Sequence, residues 1–337
     1  MPPPFWDETL YAARRPALLS RARLKSAMRA WFDGEGFFEV ETNLVQPSPG
    51  NETHLHAASV TWMAQEALRR SGYLHTSPEF AMKKLIAAGE TRIYQFAPVF
   101  RAREESRLHA PEFTMLEWYH AGADYTVLMA DCAALLALAA DTTGRREWHF
   151  RGSTCDATAA PERISVSEAF SRHAGIALER VLEDEARFAA AVQGIGLRIA
   201  PDDTWGDLFS RVVSEKIEPH LGLGRPTLLD RYPICEAALA RPCPDDARFA
   251  ERFELYLCGV ELANAFGELT DAQEQRARFE ADMAEKLRLY GEIYPLDEDF
   301  LAALAVMPPA SGIALGFDRL AMLACGVESV EAIRFTP

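Results

Sequence analysis

The sequence predicts an α+β fold, an antiparallel sheet flanked by helices, and three observations carry it. Runs with the period of two that marks half-buried strands come in pairs joined by turns. Capped helix-period runs interrupt those pairs rather than alternating with single strands. Neither a Walker loop nor a G-x-G-x-x-G occurs, so the usual phosphate cradles of doubly wound folds are missing. Nothing repeats along the 337 residues, and no Gly/Ser linker divides them.

Residues 16 to 33 read as an amphipathic helix, with Leu24, Met28, Trp31 and Phe32 on one stripe and Gly34 and Gly36 ending it. "FFEVETNLV" then alternates and is rich in β formers, which predicts a strand. Residues 77 to 88 form a helix with Ser77 as N-cap, Pro78 at its first position and Gly89 as its stop. "IYQFAPVFR" runs into the charged turn "AREESRLHAP" and "EFTMLEWYH" runs out, two antiparallel strands of which Pro98 puts the first near an edge. The stretch from about 125 to 220 is mostly helical, including "TVLMADCAALLALAA" and a capping box from Ser165 to Glu168. "RFELYLCGVELANAF" is a hairpin turning at Cys258–Gly259, and "FDRLAMLACGV" closes the chain as a helix.

Composition bounds what such a chain does. At 49% hydrophobic and 25% charged it buries a sizeable core. No basic start leads into an apolar stretch, and no run reaches the roughly 18 apolar residues of a membrane helix, so a cytoplasmic protein with no membrane partner is expected. Six cysteines without a C-x-x-C pair argue against a disulfide framework and a zinc site. The net charge of −15 argues against broad, sequence-independent nucleic-acid binding, leaving room for a local basic patch.

Three constellations suggest chemistry. With the hairpin turn at 258–259, position 256 faces 261 and 254 faces 263, so Glu254 and Glu261 share a side. They are either a solvated strand face or a pair of oxygen ligands for a divalent ion. The small and apolar Leu257, Val260, Ala263 and Ala265 around them argue for a dry setting, where unpaired carboxylates are costly. In "EFTMLEWYH" a period of two puts Phe113, Met115, Glu117 and Tyr119 on one face. A carboxylate beside a phenol among apolar neighbours suits an ammonium group, and equally a structural Glu–Tyr hydrogen bond. Arg101 keeps strand rhythm, unlike Arg103, Glu104, Glu105 and Arg107 in the loop, and Arg319 stands at the start of the closing helix. Two guanidinium forks together with two acidic metal ligands are what nucleotidyl transfer requires.

In this order the segments resemble the class II aminoacyl-tRNA synthetases. "FRAREESRLHAPEFTMLEWY" is similar to motif 2 of that class, "GIALGFDRL" to motif 3 and "GFFEVET" to motif 1, while "TSPEFAMKKLIAAG", "HAPEFTMLEWY" and "ELANAFGELTDAQEQ" resemble the lysyl branch. The motif 1 helix begins near residue 16, which leaves no room for an N-terminal OB-fold anticodon-binding domain. The whole chain, as one catalytic domain over 1–337 with a helical segment at about 130–225, therefore resembles the free-standing lysyl-synthetase paralogues that attach (R)-β-lysine to elongation factor P. Ser77 in "TSPE" and Ala314 in "ALG" agree with that group, where the synthetase has Ala and Gly.

The resemblance implies ATP and Mg²⁺ as cofactors, elongation factor P and (R)-β-lysine or lysine as substrates, and a homodimer, with tRNA not expected as a partner. It implies that Ser77, Pro78 and Glu79 meet the amino and carboxylate end of the amino acid, near Asn264 and Ala314, with Glu117, Tyr119 and Glu268 around its ammonium groups. Arg101 and Arg319 hold phosphates as the catalytic pair. Arg103, Glu104, His109, Leu262 and Gly316 complete the ATP site, and Glu254 and Glu261 hold Mg²⁺. Glu268 shares a face with Glu261 only if a bulge near Asn264 or Gly267 intervenes. The chain departs from the synthetase pattern at Ala102 and Arg103, where an Asn or Asp and then a Glu are usual, at Ala110 for Asn and at Asn43 for the motif 1 proline; Glu104 is the substitute candidate near adenine. Two other readings stand beside this one: a truncated lysyl-tRNA synthetase charging tRNA, and a non-catalytic binding protein on the same fold.

Overall fold

A 27-residue helix, α1 (Glu8–Gly34), opens the computed structural model, which describes residues 4–65 and 68–336. The helix begins at Glu8 rather than near 16, because Asp7 caps it by accepting from the Thr9 and Leu10 amides and Pro16 is carried inside it. Leu18, Leu24, Met28 and Phe32 are buried, with Trp31 half-buried at the stripe's flank. Two compact units follow from the chain contacts: Met1–Asp124 with Glu268–Pro337, and Tyr125–Gly267.

In the first unit, β1 (Phe38–Glu39) pairs in parallel with β5 (Arg92–Phe100), and β2 (Val45–Gln46) and β3 (Ser59–Met63) flank β4 (Arg69–Leu74) in a separate antiparallel sheet. The single strand expected over "FFEVETNLV" is thus two short pieces in two sheets. After Glu39 the Val40 amide still reaches the Tyr94 carbonyl of β5 and the Thr42 hydroxyl the Gln95 side chain, and the chain then joins β4 at Val45. α2 (Glu79–Ala87) starts one residue later than expected, with Pro78 as a cap that offers no side-chain bond. Ser77 instead accepts from the Glu79 amide at 3.1 Å. β5 and β6 (Glu112–Ala121) form the expected antiparallel pair, and Pro98 lies beyond the two residues that β1 covers.

The second unit starts with α3 (Thr126–Thr143), followed by the hairpin β7 (Glu147–Phe150) and β8 (Ser153–Asp156), then β9 (Glu162–Ser165), α4 (Val166–Ala169), α5 (Glu185–Gly194) and α6 (Trp205–Val212). The mostly helical stretch expected here therefore also holds three four-residue strands, too short for a period of two to stand out. Ser165 does accept from the Glu168 amide, but the Glu168 carboxylate pairs with Arg172. By length and composition α3 is long and apolar enough to cross a membrane, against the expectation that no run is. Its buried residues Leu128, Cys132, Leu135, Leu136, Ala139 and Ala140 keep the spacing of a helix packed along one stripe. Phe170, Phe188, Trp205 and Phe209 centre this unit's core.

β10 (Thr227–Pro233) lies between β9, parallel to it, and β11 (Phe249–Leu257), which turns back antiparallel as β12 (Val260–Gly267). Cys258 at φ 54° and Gly259 at φ 72° make the two-residue turn where the sequence put it. The register departs from expectation after Tyr256↔Glu261, since Leu255 faces Ala263 and Glu254 faces Asn264. Leu262 is the extra residue. A bulge was needed, and it sits two residues before Asn264.

The chain returns to the first unit with α7 (Ala272–Tyr290), α8 (Glu298–Leu304), β13 (Ala310–Gly316) and α9 (Phe317–Cys325). β13 pairs antiparallel with β6, giving this unit the strand run β1-β5-β6-β13. Phe32 of α1 stacks on Tyr94 at 4.4 Å and meets Trp118 edge-on at 5.4 Å, which fixes α1 over that sheet. Phe80 of α2 stacks on Phe300 of α8 at 4.0 Å.

Candidate active site

Strand parity on β6 puts Glu117 and Tyr119 on one face, and their contacts show why they stay there. Glu117, 1% exposed, accepts from the Tyr119 hydroxyl at 2.6 Å and from the Ser77 hydroxyl at 2.7 Å. Burial, then the charge of Glu79, raises its carboxyl to about 8 in spite of both bonds. Burial and the neighbouring carboxylates Glu117, Glu79 and Glu268 push the Tyr119 phenol well up. On β13, Ala314 stands opposite Glu117 and Gly312 opposite Tyr119. The first unit thus gathers Ser77, Glu79, Glu117, Tyr119 and Glu268 into one buried cluster, with Ala314 opposite Glu117 in the sheet and Pro78 capping the helix that carries Glu79.

Two members of this cluster escaped the sequence reading. Lys83, fully buried, lies 2.5 Å from Glu79 and 2.5 Å from Glu268. Burial disfavours its ammonium, but the two carboxylates outweigh burial and hold its pKa above the ordinary lysine value. The signal was present, since Lys83 is one helical turn after Glu79. Gly312 is the other: a Cβ there would stand 2.2 Å from Tyr119 Cε1 and 2.3 Å from Glu268 Oε1. Only a glycine lets these two side chains lie across β13.

The arginines of the phosphate reading also belong to the first unit. Arg101 donates to the Thr76 carbonyl at 3.2 Å and lies over the Phe113 ring at 5.5 Å, leaving its terminal nitrogens for other work. Arg319 donates from Nε to the Leu108 carbonyl at 3.3 Å and from Nη2 to His109 Nε2 at 2.6 Å. His109 Nδ1 then carries the proton and meets Ser106 Oγ at 2.8 Å. Burial, then Arg319, lowers the His109 pKa, so the ring is a neutral prop for the guanidinium. Asp318 is no partner of Arg319. It is 3% exposed, 2.6 Å from Arg21 of α1, and accepts from the Thr114 amide. Arg103 pairs with Glu292 and lies near His56 and Tyr290, while Glu104 stays half-buried in the loop and Ala110 is buried. A Cβ on Gly316 would meet Arg319 only at ordinary contact, 3.6 Å.

In the second unit, Glu254 accepts from Arg252 at 2.6 Å, Tyr232 at 2.5 Å and Tyr256 at 2.6 Å. Burial and Glu254 hold both phenols well above their usual range. Glu261 faces Tyr256, and the bulge at Leu262 puts half-buried Asn264, bonded to Arg252 at 3.2 Å, on the same face. Among the described residues no group of three or more His, Cys, Asp or Glu is arranged for a metal ion. The two carboxylates are nevertheless the hard oxygen donors Mg²⁺ takes, and three hydrogen bonds leave Glu254 one of its lone-pair sites.

Residues 11–337 match the family described as tRNA synthetases class II (D, K and N). The chain is 38% identical to an elongation factor P–(R)-β-lysine ligase of Proteus mirabilis over 94% of this chain and 93% of that protein. To the ligase of the same name from Vibrio cholerae it is 38% identical over 95% and 94%. To a lysine–tRNA ligase of Pelotomaculum thermopropionicum it is 36% identical over 94% of this chain and 62% of that protein. With its α+β fold and nearly its whole length matched, the chain belongs to the class II tRNA synthetase family and is an ATP-dependent ligase of that class.

Proposed function

We propose that this ligase activates (R)-β-lysine, or lysine, as an acyl-adenylate and transfers it to the ε-amine of a lysine on elongation factor P. The observation that carries this reading is the buried cluster of Glu79, Glu117 and Glu268 with Tyr119 and Ser77. Its acceptors and negative charge suit a substrate with two ammonium groups. The names of the relatives matched along nearly their full length support the protein acceptor over tRNA.

The substrate carboxylate oxygen attacks the α-phosphorus of ATP, the bond to the β-phosphate oxygen breaks and pyrophosphate leaves. The neutral ε-amine of the acceptor lysine then attacks the acyl carbon, loses a proton, and AMP leaves. Arg101 and Arg319 bind the phosphates, where fixed charge offsets the negative charge spreading over the phosphoryl oxygens. Glu254 and Glu261 would hold Mg²⁺, which neutralises phosphate charge when bound. Arg103, Glu104, His109 and Gly316 line the nucleotide, His109 through its hold on Arg319. The same reading makes the protein a homodimer through the 37–46 segment, where Phe38 and Val45 are exposed.

Amino-acid-dependent exchange of pyrophosphate into ATP tests the activation step. Arg101→Ala lowers the exchange rate at least about 100-fold with the fold intact, as expected for loss of a charge that meets the transition state. Wild-type exchange by that variant overturns the assignment.

A further inference from the structure

Beside Ser77 and Glu79 the first unit holds a small cavity, between the 46–52 loop and the start of α2, lined by Ser48, Glu52, His75, Thr76, Ser77 and Glu79 among others. Its interior of about 10 Å³ accommodates one water-sized group. Nothing in the synthetase resemblance gives Glu52 or His75 a role.

The lining is rich in acceptors. The hydroxyl hydrogen of Ser48 goes to Asn51, that of Thr76 to the Pro49 carbonyl at 2.7 Å and that of Ser77 to Glu117. His75 is 1% exposed and bonds the Pro98 carbonyl through Nε2 at 2.8 Å. A carbonyl only accepts, so Nε2 carries the hydrogen and Nδ1 presents a lone pair. That Nδ1 is closed to solvent and has no partner. Burial lowers the His75 pKa, which keeps the ring neutral. Glu52 Oε2 is likewise closed to solvent and without a hydrogen-bond partner. Burial, then the charge of Glu79, raises the Glu52 carboxyl to about 7, more than a backbone hydrogen bond and the charge of Arg101 offset. An unmade hydrogen bond of this kind is costly in a folded chain. A compact cation with several hydrogens to donate would satisfy such a lining.

We propose that this cavity is a subsite for the amino group of the substrate nearer its carboxylate, with Glu52 and His75 as its acceptors, so that Glu52 is a specificity-determining residue. The proposal rests on the functional reading above, in which Ser77 and Glu79 meet that end of the amino acid. An ammonium has the size, the charge and the donors the lining asks for.

Pyrophosphate exchange is measured for Glu52→Gln and His75→Leu with lysine, (R)-β-lysine and 6-aminohexanoate, which lacks the amino group in question and is followed by its KM or by its Ki as a competitor. Glu52→Gln raises KM for the diamino acids about ten-fold or more, the effect of losing one hydrogen bond to a charged group. It leaves kcat and the KM for ATP in place and leaves 6-aminohexanoate unmoved. His75→Leu shifts the same constant in the same direction. An unchanged KM, or an equal loss for 6-aminohexanoate and ATP, overturns the proposal. A Glu52→Gln effect that appears only when Na⁺ or K⁺ is varied assigns the cavity to an inorganic cation and overturns it too. Exchange with neither lysine isomer in the wild type overturns the functional reading, and this one with it; exchange that Glu52→Gln leaves untouched overturns this one alone.

Discussion

Lys83 ties two carboxylates that burial would otherwise strand, and its removal exposes that dependence. Lys83→Met leaves Glu79 and Glu268 without a counter-charge and costs about 3–5 kcal/mol, the range for breaking a buried pair from one side. Because the folded-state pKa of Lys83 is raised, its contribution is complete below the ordinary lysine pKa and fades only as pH climbs through the raised value. The deficit is measured by urea denaturation at a fixed pH below that ordinary value, and a deficit below about 1 kcal/mol contradicts this account. Glu117 works with the opposite sign. Its carboxyl, raised to about 8, stays protonated in the folded chain while the unfolded chain ionises, so stability falls as pH rises from about 4.5 to 8. Glu117→Gln removes that slope, at most about 1.4 kcal/mol per pH unit, and an unchanged slope counts against the assigned shift. Gly312→Ala would crowd Tyr119 and Glu268 and costs about 1–3 kcal/mol, with KM for the amino acid rising more than KM for ATP. Glu117, Tyr119, Arg101 and Arg319 were legible because strand parity and helix position are written in spacing. Gly312, Glu52 and His75 were not, since their contacts join segments far apart in sequence, and Lys83 was legible only in part, its i, i+4 spacing from Glu79 being local and its contact with Glu268 not.

At the scale of elements, pairs joined by short turns were read well and lone pieces poorly. The β5–β6 strands and the Cys258–Gly259 turn follow from local pattern and turn chemistry. The bulge at Leu262 does not, because a bulge is decided by what the two strand faces must bury. β1, β2 and the β7–β9 strands are two to four residues long, below the length at which alternation is a signal. The hairpin's seat depends on Gly222, where a Cβ would meet Leu257 Cα at 2.5 Å and the Tyr256 carbonyl at 2.6 Å. Gly224 has a similar positive φ but nothing within 4 Å. Gly224→Ala thus costs about 1–2 kcal/mol for the backbone alone. Gly222→Ala costs more, and thermal unfolding that ranks the two equally contradicts the packing of this hairpin.

For the whole molecule, composition and motif order were enough to reach the family, while the two-unit division, with its second unit running to Gly267, was not visible as any linker or shift in composition. A net charge of −15 weakens attraction to a polyanion such as tRNA, and the acidic cluster of Glu79, Glu117 and Glu268 suits the cationic substrate proposed. The choice of acceptor is the central claim, and the intact mass of elongation factor P tests it most directly, after incubation with this protein, ATP and either lysine isomer. The account predicts a mass gain of one lysyl residue that requires ATP, with no label transferred to tRNA under the same conditions. An unshifted mass with both isomers, or lysine charged onto tRNA instead, would contradict it.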